Sequence, residues 1–220
     1  MTEQRYILVD VCWTLFYSNT TFDFLDFALK DNEEYVRLRR IGKSWIGRTI
    51  NLIGYKLTHT DKERIRCLQY LKGKSRTELQ ALAEQFYQEH LLPGKIEPVW
   101  AAISNQQSTA GCQLVIVSGT LDIIAQTVAR HLGAKAVHAT EMVYKNDIFT
   151  GKFNDRLLTK ASALPNYEPY DIITDNLTDI DLVRKARKAT IILYNNKSRW
   201  QRILPTDANI TYIDATEQRF

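Results

Sequence analysis

The fold is most constrained by a long helix-patterned segment that follows a single N-terminal strand. Residues 6–11 begin with the apolar run Tyr-Ile-Leu-Val, which is typical of a strand buried on both faces of a parallel sheet. From about residue 20 to residue 92, apolar side chains recur at roughly helical spacing, and no convincing strand interrupts them. Pro93-Gly94 ends this segment, and the pattern then changes to alternating strands and helices.

The alternating part of the chain predicts an α/β fold with a doubly wound parallel sheet. Its predicted elements are a helix at 96–107, a strand at 114–117, a helix at 121–132, a strand at 136–140, a hairpin at 142–153, helices at 156–164 and 178–186, and strands at 171–174, 191–194 and 210–213. Because the helical segment interrupts this pattern, we predict a core of residues 1–17 and 93–220 with an inserted helical cap at 18–92.

The overall composition fits one globular core with a small accessory domain. The chain has 220 residues, of which 45% are hydrophobic. No apolar run reaches the ~18 residues of a membrane span, and the N-terminus lacks the pattern of a secretory signal. The three cysteines match no zinc or redox spacing. We therefore expect a cytoplasmic protein. The sequence makes no prediction of oligomeric state.

The charges are distributed very unevenly, although the net charge is only +4. Between Tyr35 and Arg76, twelve basic residues are opposed only by Asp61 and Glu63, which gives this segment +10 and leaves −6 for the rest. Such asymmetry indicates an anionic partner, either a phosphate substrate or an anionic lipid head group at the basic cap. A merely solvated helix face is the alternative. Nucleic acid is not expected, since no base-reading motif accompanies the charge.

Polar residues follow three of the predicted strands, at the point where each strand ends. In a doubly wound sheet the ligand site lies outside the carboxyl ends of the strands. Side chains at these positions should therefore converge on one edge of the sheet. They are Asp10, Cys12 and Thr14 after the first strand, Ser118, Gly119 and Thr120 after the second, and Asp175, Asn176 and Asp179 after a later one.

Phosphoryl transfer requires side chains of these types. A carboxylate can attack phosphorus and form an aspartyl-phosphate. A Mg²⁺ ion held by oxygen ligands neutralises the phosphate and the attacking carboxylate. A lysine and a hydroxyl group bind the remaining phosphoryl oxygens. Lys160 lies on the helix leading into the third of these strands and is the best lysine for this role; Lys152 and Lys135 are competitors.

Four short motifs in this order resemble those of the haloacid dehalogenase superfamily, and most closely its phosphoserine-phosphatase-like branch. The first motif, Asp-x-Asp-x-Thr, appears as Asp10-Val11-Cys12-Trp13-Thr14. The second appears as Ser118-Gly119-Thr120, and Lys160 best matches the lysine of the third. The fourth appears as Thr174-Asp175-Asn176-Leu177-Thr178-Asp179. The resemblance covers nearly the whole predicted core.

This resemblance implies a magnesium-dependent phosphomonoester hydrolase and a role for each matched residue. Asp10 would be the nucleophile and a Mg²⁺ ligand, together with Asp175 and the backbone carbonyl of Cys12. Asp179 would support the metal shell and Lys160. The phosphoryl group would be held by Ser118 and Lys160. We place the remaining matched residues beside the substrate: Thr14, Gly119, Thr120 and Asn176.

Cys12 departs from the family pattern, because the phosphatases of this family use Asp at this position. That Asp protonates the leaving group and later activates water. A carboxylic acid with a pKa of ~4 and a thiol with a pKa of ~8.5 are different acids and bases. Losing a general acid/base typically lowers the rate by ~10²–10⁴-fold. We expect Cys12 to be partly exposed and non-nucleophilic, and the metal site to survive because it uses the backbone.

Three further readings compete with the phosphatase. A catalytically weakened protein that binds a phosphorylated ligand without efficient turnover is the main alternative, and Cys12 favours it. Hydrolysis at carbon, as in the dehalogenases, is disfavoured by Asp175 and Asp179, because that reaction needs no metal. Nucleic-acid binding by the basic segment is the weakest. For the enzyme we expect a small or lipid-like anionic phosphate as substrate.

Overall fold

The protein, described here by a computed structural model, is built on one seven-stranded sheet with the strand order β4-β3-β2-β1-β5-β6-β7. The structure describes residues 4–45, 47, 49, 61–155, 167–204 and 209–216. All neighbouring strands are parallel except β4, which runs antiparallel to β3 at one edge. The strands are β1 Tyr6–Val9, β2 Gln113–Leu121, β3 Ala136–Lys145, β4 Ile148–Asn154, β5 Tyr170–Thr174, β6 Lys188–Leu193 and β7 Ile210–Asp214.

Helices occupy much of the segment between β1 and β2 and cover the sheet farther along the chain. In chain order, the helices whose bounds fall within the described residues are α1 Thr20–Ala28, α2 Glu33–Lys43, α3 Lys62–Gln69, α4 Arg76–Phe86, α5 Glu97–Ala110, α6 Asp122–Leu132, α7 Ile180–Lys185 and α8 Lys197–Ile203. A π-helical turn, Tyr87–Leu91, extends α4, and a 3₁₀ turn, Leu177–Asp179, precedes α7. None of the described helices is both long and apolar enough to cross a membrane.

Each of the helices α1 to α4 begins after a residue that favours the N-cap position. The side chains of Asn19, Asn32, Asp61 and Ser75 accept hydrogen bonds from backbone amides in the first turns of α1, α2, α3 and α4. Each bond satisfies an amide that has no partner within its helix. The boundaries of these helices are thus encoded locally by single polar residues.

Buried apolar residues form one cluster on each face of the sheet. Because side chains alternate along β1, Ile7 and Val9 belong to one cluster and Leu8 to the other. The larger cluster also contains apolar residues of α1 and α4, such as Phe24 and Phe86. The helices that precede β2 therefore share a hydrophobic core with one face of the sheet. The division into a core and a cap at residues 17/18 and 92/93 stays a prediction.

A short loop between α3 and α4 pairs with the edge strand β4. The amide of Gly73 donates to the carbonyl of Phe149, and the amide of Phe149 donates to the carbonyl of Lys74. The amide of Arg76 donates to the carbonyl of Asp147. Three backbone hydrogen bonds thus connect this loop to the β3–β4 hairpin.

The predicted α/β class with a largely parallel sheet is confirmed, and most predicted elements lie within a few residues of observed ones. Two differences have simple causes. The predicted strand at 136–140 and the first arm of the hairpin form one continuous strand, β3, because its parallel and antiparallel pairings adjoin without a break. Helix α8 was not predicted, since Trp200 is its only buried residue. The predicted helix at 156–164 lies outside the described residues.

Candidate functional site

A cavity of about 190 Å³ opens at the carboxyl ends of β1, β2 and β5. It is lined from the sheet side by residues at the carboxyl ends of these three strands, and from the other side by residues at the N-caps and in the first turns of α1 and α3. The sheet side contributes Asp10, Cys12, Trp13, Ser118, Gly119, Asp175 and Asn176; the helical side contributes Asn19, Thr21, Phe22, Asp61 and Arg64.

Asp10 is fixed directly after β1 by its backbone and by its carboxylate. Its amide donates to the carbonyl of Ile173 in β5 at 3.0 Å, which continues the parallel pairing. Its Oδ1 accepts a hydrogen bond from the amide of Val11 at 2.7 Å. The side chain is 6% exposed, so the carboxylate is largely withdrawn from solvent yet lines the cavity.

Asp175 is joined to the first strand-end segment through Thr14. Oγ1 of Thr14 donates to Oδ1 of Asp175 at 3.0 Å and accepts from the amide of Asp175 at 3.1 Å. Thr14 is fully buried, so these bonds lie beneath the cavity and hold the two strand ends together. Asn176 lines the cavity, and its Oδ1 accepts from the amide of Thr178 at the start of the 3₁₀ turn.

Asp179 lies behind this site, and it is not among the residues that line the cavity. Its Oδ2 accepts a hydrogen bond from Oγ1 of Thr174 at 2.8 Å, and its side chain is 3% exposed. Thr174 is the last residue of β5. Asp179 therefore supports the end of this strand without lining the cavity.

The chain turns sharply after Cys12. Trp13 has a φ of +56°, a region that non-glycine residues seldom adopt. The turn is held by two contacts of Trp13 with Tyr194, whose hydroxyl donates to the Trp13 carbonyl at 2.7 Å and whose ring meets the indole edge to face. Because strained backbone persists only where the surroundings hold it, β6 and its following loop help to shape the cavity.

The Cys12 side chain begins a short chain of hydrogen bonds that joins three segments. Its Sγ lies 2.8 Å from Oγ1 of Thr20, the first residue of α1. Thr20 donates in turn to Oγ1 of Thr120 at 2.7 Å. Since a hydroxyl group has only one hydrogen, the thiol is left as the donor to Thr20. The thiol hydrogen is thus engaged by Thr20 of α1.

The environment of Cys12 keeps the thiol neutral. Burial, followed by the negative charge of Asp10, raises the pKa of the Cys12 thiol to about 11. At pH 7, only ~1 in 10⁴ thiols is then ionised. A group of this kind is a poor base toward water and a poor acid toward an alkoxide.

This environment predicts slow alkylation of Cys12 in the native protein. Because the pKa rises from the usual 9.0 to about 11, the thiolate fraction below pH 9 should fall ~10²-fold relative to the unfolded chain. The rate of reaction with iodoacetamide should keep rising with pH until about 11. Peptide mass spectrometry between pH 7.5 and 10.5 measures this rate, with Cys12→Ser as the control. A rate that levels off below pH 9 would contradict the assignment.

The C-terminal part of β2 brings the hydroxyl group of Ser118 to the cavity. Ser118 lines the cavity, is 1% exposed, and accepts a 3.3 Å hydrogen bond from the amide of Thr120. The carbonyl of Gly119 accepts from Oγ1 of Thr140 at 2.9 Å. The pairing of β2 with β3 shifts register between Val117 and Leu121, so Ser118 to Thr120 leave the regular ladder at the cavity.

Arg64 of α3 brings a buried positive charge to the same cavity. One terminal nitrogen donates to the carbonyl of Gly119 at 2.7 Å, and the other contacts Asp155 at 3.2 Å. The residue is 3% exposed, and its Nε is a buried donor with no hydrogen-bond partner among the described residues. An anion or water in the cavity would complete the hydrogen bonding of this guanidinium.

Sequence analysis did not single out Arg64 as a site residue, because it is one of twelve basic residues in its segment. A weak signal was present. Asp61, three residues before it, is of a type that favours the N-cap, so Arg64 falls in the first turn of a helix. Cations are disfavoured near a helix N-terminus, so an arginine there indicates a purpose other than helix stability.

The donor set of the cavity fits a hard divalent cation. Three carboxylates, from Asp10, Asp61 and Asp175, line it, but the structure's described part holds no group of three Asp, Glu, His or Cys side chains close enough to form a metal site alone. Mg²⁺ typically binds one or two carboxylates and completes its octahedron with waters and substrate oxygens. Asp10 and Asp175, with a backbone carbonyl, match this requirement, and the protonated thiol of Cys12 is not a competing ligand.

The cavity brings together six of the residues predicted from sequence: Asp10, Cys12, Ser118, Gly119, Asp175 and Asn176. Three others lie outside its lining and are buried beneath it: Thr14, Thr120 and Asp179. Lys160 lies outside the described residues, so its predicted role stays a prediction. Of the competing lysines, Lys152 and Lys135 do not line the cavity.

Comparison with known sequences identifies the family and one relative. The sequence model of the haloacid dehalogenase-like hydrolases matches residues 7–180. The chain is 30% identical to a phosphoserine phosphatase of Mycobacterium tuberculosis over 95 residues, which are 43% of this chain and 30% of that protein. The chain thus spans about a third of the length of the curated relatives it matches.

Comparison with solved structures supports the fold. A Bordetella pertussis protein of unknown function superposes with a TM-score of 0.71 at 18% identity, over 97% of this chain and 99% of that one. A substrate-bound phosphoserine phosphatase superposes with a TM-score of 0.55 at 16% identity, over 87% of each chain. At these identities, the similarity shows a shared fold and leaves the substrate open.

Proposed function

Since the chain belongs to the haloacid dehalogenase-like hydrolase family, we propose that it is a Mg²⁺-dependent phosphatase acting on a small or lipid-like anionic phosphomonoester. The observation that carries this proposal is the convergence of Asp10, Ser118 and Asp175 on one cavity. A nucleophilic carboxylate, a phosphate-binding hydroxyl and a second carboxylate for a cation are the groups that phosphoryl transfer needs.

In the first step, a carboxylate oxygen of Asp10 attacks the phosphorus atom. A new O–P bond forms, the bond from phosphorus to the leaving oxygen breaks, and the alkoxide takes up a proton from a water molecule. In the second step, water attacks the aspartyl-phosphate, which releases inorganic phosphate and restores Asp10. The restraint of Asp10 by its amide bond to β5 and by the Val11 amide favours the first step, because the nucleophile is already positioned.

Mg²⁺ would be held by Asp10, Asp175 and the backbone carbonyl of Cys12, and when bound it would neutralise negative charge on the phosphoryl oxygens. The protein's own contribution is to keep these groups fixed. Thr14 binds both the amide and the carboxylate of Asp175. Lys160 is our proposed second cation at the phosphoryl group, and Asp179 our proposed support for it.

The buried positive charge of Arg64 favours the binding of an anionic substrate. It is a buried cation at the side of the cavity opposite Asp10, with one donor unpaired among the residues described. Burying an arginine is costly unless negative groups surround it. Asp155 and the Gly119 carbonyl meet part of this requirement, and a negatively charged substrate would meet the rest.

Replacing Asp175 with Asn should abolish Mg²⁺ binding and any Mg²⁺-dependent hydrolysis. The amide keeps an oxygen that can accept from Thr14, so the fold should survive while one ligand charge is lost. Isothermal calorimetry with Mg²⁺ measures the effect. Asp61→Asn is the matched control, since Asp61 lines the same cavity and Asn is an equally good N-cap. Similar Mg²⁺ affinities in the Asp175 variant and the wild type would refute the metal assignment.

Cys12 also gives a specific reason to keep the second candidate function, binding of a phosphorylated ligand with little turnover. The thiol is neutral, and its hydrogen is engaged by Thr20, so the usual acid/base is missing. A panel of alkyl, aryl and acyl phosphates, assayed with and without Mg²⁺, separates the two candidates. Mg²⁺-dependent phosphate release from any member supports the enzyme. Tight binding without release from all of them supports the alternative.

A further inference from the structure

A second and larger cavity, of about 530 Å³, lies on the surface between α1 and α2. We call it the cap cavity. Its lining carries four cations and one carboxylate, so its charge is strongly positive. The charged and aromatic residues that line it are Asp26, Lys30, Tyr35, Arg39, Arg40 and Lys43. Its volume lies within the range of small-molecule binding sites, ~300–1,000 Å³.

The carboxylate of Asp26 organises one wall of the cap cavity. Oδ1 of Asp26 accepts hydrogen bonds from the Tyr35 hydroxyl at 2.5 Å and from Nε of Arg39 at 3.0 Å. Lys43 donates to its Oδ2 at 2.8 Å. Burial alone would raise the pKa of Asp26, but the bonds from Lys43 and Tyr35 and the charge of Arg39 lower it below its usual range. This wall is therefore a hydrogen-bonded network centred on an ionised Asp26.

The other cations of the cap cavity are available to a ligand. Arg40 and Lys30 are exposed, and neither forms an ion pair with any residue in the described ranges. From Tyr35 to Trp45 the chain contains four cations and no acidic residue. The acidic residues of α2, Glu33 and Glu34, lie in its first turn and do not line the cavity. The cavity thus presents uncompensated positive charge to solvent.

Two large apolar side chains are exposed beside these cations. Ile41 is 62% exposed and Trp45 is 78% exposed, and Ser44, between them in sequence, lines the cap cavity. Arg37 precedes Ile41 by four residues and so shares its side of α2. Beyond Trp45, the sequence to residue 57 contains three isoleucines, two leucines and a tyrosine, with only Arg48 and Lys56 charged. An isolated exposed isoleucine is ordinary, but a tryptophan within a basic apolar stretch is not.

We propose that this surface, the basic patch formed by α2 and its flanking residues (Lys30, Arg37, Arg40, Ile41, Lys43 and Trp45), binds the surface of a bilayer that contains anionic phospholipids. The cap cavity would receive a phosphate head group, and Ile41 and Trp45 would enter the boundary between head groups and acyl chains. Helices that lie on membranes combine basic residues with Trp and aliphatic side chains in this way. Each cation near an anionic leaflet strengthens binding about fivefold.

A free phosphate ion would explain the basic part of this surface but not its apolar part. It would complement Lys30, Arg40 and Lys43, but it would leave Ile41 and Trp45 in water. A bilayer satisfies both parts, because Trp is favoured where apolar and hydrated regions meet. The site goes beyond the proposed phosphatase activity and uses none of its residues. It adjoins the catalytic cavity, since Arg39 of the cap cavity stacks 4.2 Å from the ring of Phe22, which lines the catalytic cavity.

Sedimentation with vesicles tests this proposal. Vesicles of 30% phosphatidylglycerol in phosphatidylcholine should bind the full chain at least ~10-fold more strongly than pure phosphatidylcholine vesicles. The difference should shrink as salt rises above 0.15 M, where exposed charges are screened beyond ~8 Å. The double variant Arg37→Glu/Arg40→Glu should lose at least ~10-fold in affinity. Trp45→Ala should lose several-fold.

Matched controls separate a specific surface from general attraction. Arg199→Glu/Arg202→Glu reverses two exposed arginines of α8 and changes the net charge equally, yet it should bind vesicles like the wild type. Asp10→Asn should also bind like the wild type, so failure of the phosphatase proposal would not affect this result. The α2 double variant should hydrolyse a soluble ester at the wild-type rate, provided its circular dichroism spectrum is unchanged.

Three outcomes would overturn the proposal. The first is equal binding to anionic and neutral vesicles. The second is an equal loss of affinity in the α2 and α8 double variants. The third is binding of soluble glycerol 3-phosphate, abolished by Arg40→Glu, together with no binding to anionic vesicles. That last result would assign the cap cavity to a soluble phosphate.

Discussion

Asp10→Asn is expected to reduce phosphate release by at least ~10⁴-fold, the scale on which hydrolysis falls when a covalent nucleophile is removed. The variant should remain folded, because an amide oxygen can still accept the 2.7 Å hydrogen bond from the Val11 amide. Its carboxamide, however, is too weak a nucleophile to form the phosphoenzyme. Initial rates on an aryl phosphate with saturating Mg²⁺ measure the loss.

Two controls make this test specific to the nucleophile. Asp61→Asn removes a charge from the same cavity and should keep most of the activity. Beryllofluoride, which mimics an aspartyl-phosphate, should bind the wild type at Asp10 in the presence of Mg²⁺. A rate within tenfold of the wild type for Asp10→Asn, or a complex with the fluoride bound elsewhere, would show that Asp10 is not the nucleophile.

Cys12→Asp is expected to raise the turnover of alkyl phosphates by ~10²–10⁴-fold, the usual contribution of a general acid/base. The new carboxyl would replace a thiol that is neutral and engaged by Thr20. Burial and the neighbouring carboxylates of Asp10 and Asp175 act on the thiol to raise its pKa. The same surroundings would raise the pKa of an Asp, and a carboxylic acid with a raised pKa is well suited to protonate an alkoxide.

Aryl phosphates should respond less, because their leaving groups need little protonation. The ratio of alkyl to aryl turnover is therefore the most informative measurement. Cys12→Asn, which has the shape of Asp but no acid, is the matched control and should leave this ratio unchanged. Suppose instead that Cys12→Asp has no effect and Cys12→Ala abolishes a native activity. The thiol would then have a specific role, and its interpretation as a weakened acid/base would be wrong.

The sheet was predicted well because the sequence signals for its strands and for the ends of its helices are local. The run Ile7-Leu8-Val9 is buried on both faces, as its unbroken apolar pattern indicated. Helix α6 ends at Gly133, whose φ of +65° is one that glycine adopts without strain. Where a signal was weak, the prediction was poorer: α8 buries only Trp200, so it has almost no apolar stripe to detect.

The site was predictable only where its residues lie at the carboxyl ends of strands. Asp10, Ser118 and Asp175 were found in this way because parallel strands bring their carboxyl ends to one edge. Arg64 and Thr20 were missed, since each reaches the site from a helix whose position relative to the sheet is set by packing. The burial of Thr14 and Thr120 was also invisible, because no pattern in sequence distinguishes a residue beside a ligand from one beneath it.

The loop that pairs with β4 has a consequence for assembly. An edge strand exposes unpaired backbone groups that can recruit a strand of another molecule and start aggregation. Here the amide of Gly73 and the carbonyl of Lys74 occupy two of those groups, both of Phe149, and the amide of Arg76 binds the carbonyl of Asp147 in the adjoining turn. The chain therefore covers part of its own sheet edge, at Phe149, with a segment from between two helices. The same three hydrogen bonds must break before α3 and α4 can separate from the β3–β4 hairpin. Such a separation would expose unpaired backbone groups of β4 that can bind a strand of another molecule.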